Sequence, residues 1–160
     1  MGIALGTLAR GRITVAAGAV GLAQGALDAA LDYTATRTQF GTTVNSFQLV
    51  QELLADSEVQ TQAARMLVHH VARMVDAGIG TKDYSIHASI AKYHASETAV
   101  TVSNNCLQAF GGYGYIDEYP AAKFVRDARV LTLYEGTTQV QKLIIGRDIT
   151  GVDALTPHLH

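Results

Sequence analysis

From Leu5 to Tyr33, apolar and small residues recur at spacings of three and four: Leu5, Leu8, Val15, Ala19, Leu22, Ala26, Ala29 and Tyr33. Only an α-helix gathers that spacing onto one face. The rhythm returns at Val50, Leu53, Ala64, Leu67, Val71 and Met74, and no run of useful length alternates with the period of two that a strand needs. The sequence therefore predicts an all-α chain. Helices are expected from about Ile3 to Thr36, from a Ser46 cap to Gly78, from Asp83 to Phe110, from Pro120 onward, and from Thr138 to Gly151. Gly78 and Gly80 stop the second helix, Gly111 to Tyr115 reads as a glycine-rich loop, and Pro120 suits a helix start because its missing N–H costs nothing there. Long helices joined by short connections specify an antiparallel four-helix bundle with an additional short C-terminal helix. One domain over 1–152 and a flexible tail over 153–160 complete the expectation.

Several function classes drop out early. The stretch from Ile13 to Leu31 is weakly polar enough to suggest a membrane span, but it is mostly Ala and Gly, with Arg12, Gln24 and Asp28 at or inside its edges. A helix with a small-residue packing face explains it better than a span. A formal net charge of -2 with no long basic run leaves no electrostatic footprint for nucleic acid. Cys106 is the only cysteine, which excludes an internal disulfide and fits a reducing compartment, the bacterial cytoplasm or the mitochondrial matrix. No basic region and cleavage site follow Met1, so no secretory signal is expected. His69, His70, His87 and His94 come with no H-E-x-x-H motif or cysteine set, so no metal site is expected.

Four features carry candidate chemistry. Arg12 falls on the apolar stripe of the first helix, where a guanidinium needs an anion or an acidic partner. Glu135 stands in a turn between Leu131-Thr132-Leu133-Tyr134 and the run from Val140 to Ile145. Desolvation there disfavours the carboxylate and the following helix start favours it. The residues alone leave Glu135 as either a solvated turn carboxylate or a base. Thr138 and Gln141 have the spacing of a capping box. Arg37-Thr38-Gln39-Phe40-Gly41 offers a guanidinium fork and an aromatic ring, which suit a phosphate and a flat ring or simply end a helix. Gly111 to Gly114 would let backbone approach a pyrophosphate, but the segment follows a helix and lacks the dinucleotide fingerprint.

Taken in order, these pieces resemble the C-terminal domain of the acyl-CoA dehydrogenases. The series is Gly11-Arg12, Ala16 to Gly21, Arg37-x-x-Phe40-Gly41, Phe47-Gln48, Gln108-x-Phe110-Gly111-Gly112-x-Gly114, Glu118-Tyr119-Pro120, Arg126-Asp127-Ala128 and Tyr134-Glu135-Gly136-Thr137. The resemblance runs from about Leu5 to Gly151. It implies a helical-bundle domain of a flavoenzyme that uses FAD to oxidise an acyl-CoA thioester to the 2-enoyl-CoA. It implies Glu135 as the base that removes the α-proton. It implies contacts with FAD in a neighbouring subunit by Arg37, Thr38, Gln39, Phe47 and Gln48, a further FAD contact by Phe40, contacts along the FAD adenosine and pyrophosphate by Gln108, Phe110, Gly111 and Gly112, and flavin contacts just after the base by Thr137, Thr138 and Gln139. Arg12 would lie near the CoA part of the substrate, and Tyr134 and Gly136 would line the acyl pocket.

The resemblance also implies an oxidoreductase of fatty acid metabolism that assembles as a homo-oligomer, a dimer or tetramer, and passes electrons to electron-transferring flavoprotein. The family's N-terminal and middle domains have no counterpart in these residues, so the expected object is an excised domain or a separately encoded half, inactive alone. The competing expectation is a non-catalytic helical oligomerisation or binding module derived from the family. Two positions depart from the common pattern: Ala9 stands where many members carry an acidic residue, and Gly11 stands where some members carry the base.

Overall fold

In the computed structural model the backbone is described for residues 2–154 and side chains for residues 7–154. The side chain of Leu5 and residues 155–160 of the expected tail lie outside the described residues. The order is α1 (Gly2–Thr36), a hairpin of β1 (Thr38–Gln39) and β2 (Thr42–Thr43), a 3-10 turn (Val44–Ser46), α2 (Gln48–Asp76), α3 (Thr81–Phe110), a 3-10 turn (Gly111–Tyr115), α4 (Ala121–Leu131) and α5 (Thr138–Thr150). The chain is all-α, as the periodicity predicts, apart from the two-residue strands. Thr38 pairs with Thr43 and Gln39 with Thr42. Phe40 and Gly41 both hold positive φ, 52° and 80°, the pair of signs that a type I′ hairpin turn requires.

α3 touches every other helix and is the axis of the bundle. Its inner face is built from Ala88, Ala91, Ala95 and Ala99, each 0–1% exposed. α1 answers with Ala9, Ala16, Ala23 and Ala30, seven residues apart and equally buried. Two such faces let the backbones approach closely. By length and hydropathy α1 could cross a bilayer, but this face is spent on the core that α1 shares with α2 and α3. The predicted stripe of α1 faces the core: Ala19 and Ala26 are buried, and Val15, Leu22, Ala29 and Tyr33 pack against it partly buried, whereas Leu8 departs at 40% exposed. The positions of closest approach are taken by small residues.

Ala95→Leu should overfill that contact and cost about 1–3 kcal/mol. The check is the midpoint of urea or thermal unfolding of the chain; an unchanged midpoint would mean that the α1–α3 contact is looser than described. Cys106, on the same helix, is 2% exposed, and burial pushes its thiol up to about 12. It should resist a disulfide reagent in the native chain at about pH 8 and react quickly once guanidinium unfolds the protein. Rapid native reaction would contradict its packing. The sign of the linkage follows: an unfolded thiol ionises near 9.0, so the native state loses this contribution as pH rises from about 9 to about 12.

Three local expectations are corrected. Ser46 does not cap α2, because its hydroxyl donates to the Thr43 carbonyl at 2.7 Å inside the 3-10 turn; Phe47 is the N-cap, and its carbonyl accepts from Val50 and Gln51 N–H. α3 starts two residues early, at Thr81, which puts Asp83 in its first turn, where the helix dipole favours it. The glycine-rich segment is a 3-10 turn and not an irregular loop.

Candidate functional site

After α4, the chain turns through Thr132 to Thr137 before α5 begins. Glu135 has φ 56° and Gly136 has φ 91°. A left-handed non-glycine residue is strained, by about 1–3 kcal/mol, and persists only where its surroundings over-determine it. Here they do. Thr138 N–H donates to the Thr132 carbonyl at 3.0 Å, and the Thr138 hydroxyl donates to Glu97 Oε1 at 2.5 Å. Gln141 Nε2 donates to the carbonyls of Glu135 and Gly136 at 3.0 and 3.1 Å. Lys92 Nζ, reaching from α3, donates to the Gly136 carbonyl at 2.8 Å. A Cβ at Gly136 would meet Gln141 Nε2 at 2.6 Å, so this glycine is needed for both φ and space.

These bonds correct the expected capping box by one residue. The N-cap of α5 is Thr137, whose hydroxyl accepts from Val140 N–H at 3.3 Å. Thr138 is already helical, and Gln141 clamps the turn from inside the first turns of the helix.

The clamped turn sends the Glu135 side chain toward α1. A Cβ built on Gly11 would stand 2.6 Å from Glu135 Oε2 and 2.8 Å from its carboxyl carbon, so the missing side chain of Gly11 is the niche that the carboxylate fills. Glu135 Oε2 is buried and has no hydrogen-bond partner among the described residues, and neither has Nε of the adjacent Arg12. Arg12 Nη1 donates to the Ser89 hydroxyl at 3.2 Å. Burial pulls the Arg12 guanidinium down from its usual range, and the charge of Glu135 pushes it back up. The partner that the sequence demanded for Arg12 is thus a hydroxyl, with a carboxylate near but not bonded. The N–H of Glu135 donates to no acceptor among the described residues. Tyr134 is 42% exposed beside this turn.

The predicted cofactor residues separate into two regions. Arg37, Gln39, Gln108, Phe110, Gly111 and Gly112 line one groove of about 600 Å³. At its lip the Arg37 guanidinium lies 4.9 Å over the Tyr113 ring. Phe110 itself is buried, stacked on Tyr33 at 4.0 Å. An added Cβ at Gly111 or Gly112 would meet nothing within 4 Å, so this backbone is open. Thr38, Phe40 and Gln48 lie exposed nearby in sequence, and Phe40 packs edge-on to Phe47 at 6.2 Å. Thr138 and Gln139 instead line a second groove of about 570 Å³ with Glu97, Arg129 and Lys142, while Thr137 caps α5 above it. Glu97 and Phe110 are thirteen residues apart on α3, or about 20 Å along the axis. His87 meets His70 of α2, with ring centroids 5.3 Å apart.

Residues 1–150 match the family model described as the acyl-CoA dehydrogenase C-terminal domain. The chain belongs to that family. Among curated relatives, it is 44% identical over 144 residues to the short-chain-specific acyl-CoA dehydrogenase of Megasphaera elsdenii, covering 90% of this chain and 37% of the relative. It is 42% identical over 147 residues to the enzyme of the same description from Clostridium acetobutylicum, covering 92% and 38%. The solved butyryl-CoA dehydrogenase of Megasphaera elsdenii superposes with a TM-score of 0.88 at 43% identity, covering 92% of this chain and 38% of that one. A chain solved in work on the electron transferring flavoprotein of Acidaminococcus fermentans superposes with a TM-score of 0.89 at 43% identity, over 92% and 38%. This acyl-CoA dehydrogenase C-terminal domain thus spans well under half the length of its relatives.

Sequence reasoning missed Lys92 and Glu97, which hold the Glu135 turn in this acyl-CoA dehydrogenase domain, and read Gln141 as part of a capping box instead of a clamp on that turn. Lys92 carried a signal. It lies among Ala88, Ala91, Ala95 and Ala99, and a cation on a small-residue face raises the question that Arg12 raised.

Proposed function

We propose that this domain supplies the base and part of an inter-subunit flavin site to an FAD-dependent acyl-CoA dehydrogenase, which desaturates an acyl-CoA thioester between its α and β carbons. The observation that carries the reading is the geometry of Glu135: left-handed, clamped from three directions, its Oε2 buried without a partner and its N–H undonated. Oε2 takes the α-proton of the thioester. The Glu135 N–H donates to the thioester carbonyl oxygen, where enolate charge develops as that proton leaves. A donor aimed at developing charge is worth on the order of 3 kcal/mol in the barrier.

The residues present fit a flavin dinucleotide. An arginine fork and open glycine backbone face one groove, as a pyrophosphate requires. Arg37, Gln39, Gln108, Gly111 and Gly112 would hold the cofactor of a neighbouring subunit, and Thr137, Thr138 and Gln139 that of their own. The separation of about 20 Å between the two clusters along α3 supports this division between two copies. FAD, when bound, accepts the hydride that leaves the β-carbon. Arg12, with its free Nε, faces the anionic CoA portion of the substrate. Electron-transferring flavoprotein is the proposed acceptor, and a homo-oligomer the proposed assembly.

On this reading the chain alone completes neither flavin site. Purified by itself and mixed with FAD, it should elute without the flavin absorbance and leave short-chain acyl-CoA unoxidised. Joined by the N-terminal and middle domains, it should elute as a yellow oligomer whose flavin is bleached by acyl-CoA. A flavin-loaded assembly that releases no α-deuterium from labelled acyl-CoA would overturn the proposal.

A further inference from the structure

Lys92 is fully buried, at 0% exposure, in the middle of a face made otherwise of alanine and serine. A buried ammonium is costly unless an opposite charge or good hydrogen bonds compensate it. No carboxylate lies within ion-pair distance of it among the described residues. Its one hydrogen bond is to the Gly136 carbonyl, 44 residues away in sequence. If the turn needed only a donor at that carbonyl, Gln141 already supplies a neutral one at 3.1 Å. Lys92 adds a second, charged donor to the same oxygen, and charge-assisted bonds are the stronger kind.

We infer that Lys92 is a positioning residue for Glu135: its ammonium, anchored in the rigid α3, pins the Gly136 carbonyl and so holds Glu135 in the left-handed conformation that aims its carboxylate into the Gly11 niche. The inference rests on the reading of Glu135 as the base. The electrostatics agree with the geometry. Burial pulls Lys92 down, Glu97 pushes it up, Arg12 pulls it down and Glu135 pushes it up, so the ammonium senses the carboxylate whose turn it holds. Without the charged anchor, the Gln141 amide and the Thr138 hydroxyl and N–H remain to oppose the strain at Glu135, all of them neutral donors, and the turn relaxes toward ordinary backbone angles.

The test has two arms. In the isotopically labelled 160-residue chain, Lys92→Met should shift or broaden the amide resonances of Glu135, Gly136 and Thr137, while those of Val68 and Val71 in α2 stay in place. In the complete enzyme containing the domain, the same variant should lower the α-deuterium release rate about a hundredfold, the loss expected from a misplacement of about 1 Å. KM and flavin content should be preserved, and Lys92→Arg, which keeps a charged donor, should restore part of the rate. A merely structural lysine would instead move α2 resonances or flavin content as much as the turn.

If Lys92→Met does not fold, Lys92→Gln carries the same readouts. Unchanged Glu135–Thr137 resonances, or an undiminished rate, would overturn the inference. Glu135→Gln run in parallel separates the two ideas. If that variant keeps its rate, the base assignment falls, and the resonance arm still decides whether Lys92 holds the turn.

Discussion

Glu135→Gln, made in the complete enzyme, should cut α-proton abstraction by about a hundredfold to ten-thousandfold, the contribution expected of a positioned general base. The substitution keeps the volume that fills the Gly11 niche, so the turn and its clamps survive. It keeps the backbone N–H that is proposed to face the thioester oxygen. What it removes is the oxygen proposed as the base, Oε2, which has no hydrogen-bond partner among the described residues. Flavin content should be unaffected, because the surviving clamps keep Thr137, Thr138 and Gln139 in place, and Arg37, Gln108 and the open glycines line a different groove. Release of deuterium from α-labelled acyl-CoA, followed in parallel with flavin absorbance, is the check. Deuterium release near the parental rate would remove Glu135 from the chemistry.

Gly11→Ala should separate activity from stability. The new methyl would lie 2.6 Å from Glu135 Oε2, far inside contact distance, so one of them must move. Glu135 backbone is clamped, but the far end of its side chain is flexible, and the carboxylate is what yields. Alanine also favours the helix over glycine by up to about 1 kcal/mol, which offsets the displacement. The unfolding midpoint should therefore change little. With Glu135 as the proposed base, proton abstraction should fall about a hundredfold, because shifting a base by about 1 Å spoils its approach. A variant that keeps full activity would mean that the carboxylate works from somewhere else.

The helices were legible because their period is a local property of the chain, and α1, α2 and α3 span nearly the predicted residues. The face of α1 was legible in most of its stripe, from Val15 to Tyr33, but not in its closest contacts, where the alanines of α3 select Ala9, Ala16 and Ala23. Cap positions failed for a related reason. Thr137 and Thr138 are chemically alike, and backbone angles fixed by the Glu135 turn decide which one caps α5.

Arg12 was legible as a problem but not in its answer, since Ser89 comes from a helix 77 residues away in sequence. The grouping of Arg37 with Gln108 and Gly111 in one groove, apart from Thr138 and Gln139, was likewise invisible in chain order. The resemblance implied that Arg37 and Thr138 serve FAD from different sides; the structure adds which residues share each groove.

α3 ties these spaces together. One end closes the groove beneath Arg37, and its middle carries Lys92 and Glu97 under the Glu135 turn. In an assembly where each region meets a different flavin, this helix acts as a ruler, and the spacing between neighbouring reaction centres is written into its length. A single residue inserted between Lys92 and Gln108 would rotate one region by about 100° against the other. The stretch of α3 between Lys92 and Gln108 would then be as intolerant of length change as the two regions it joins.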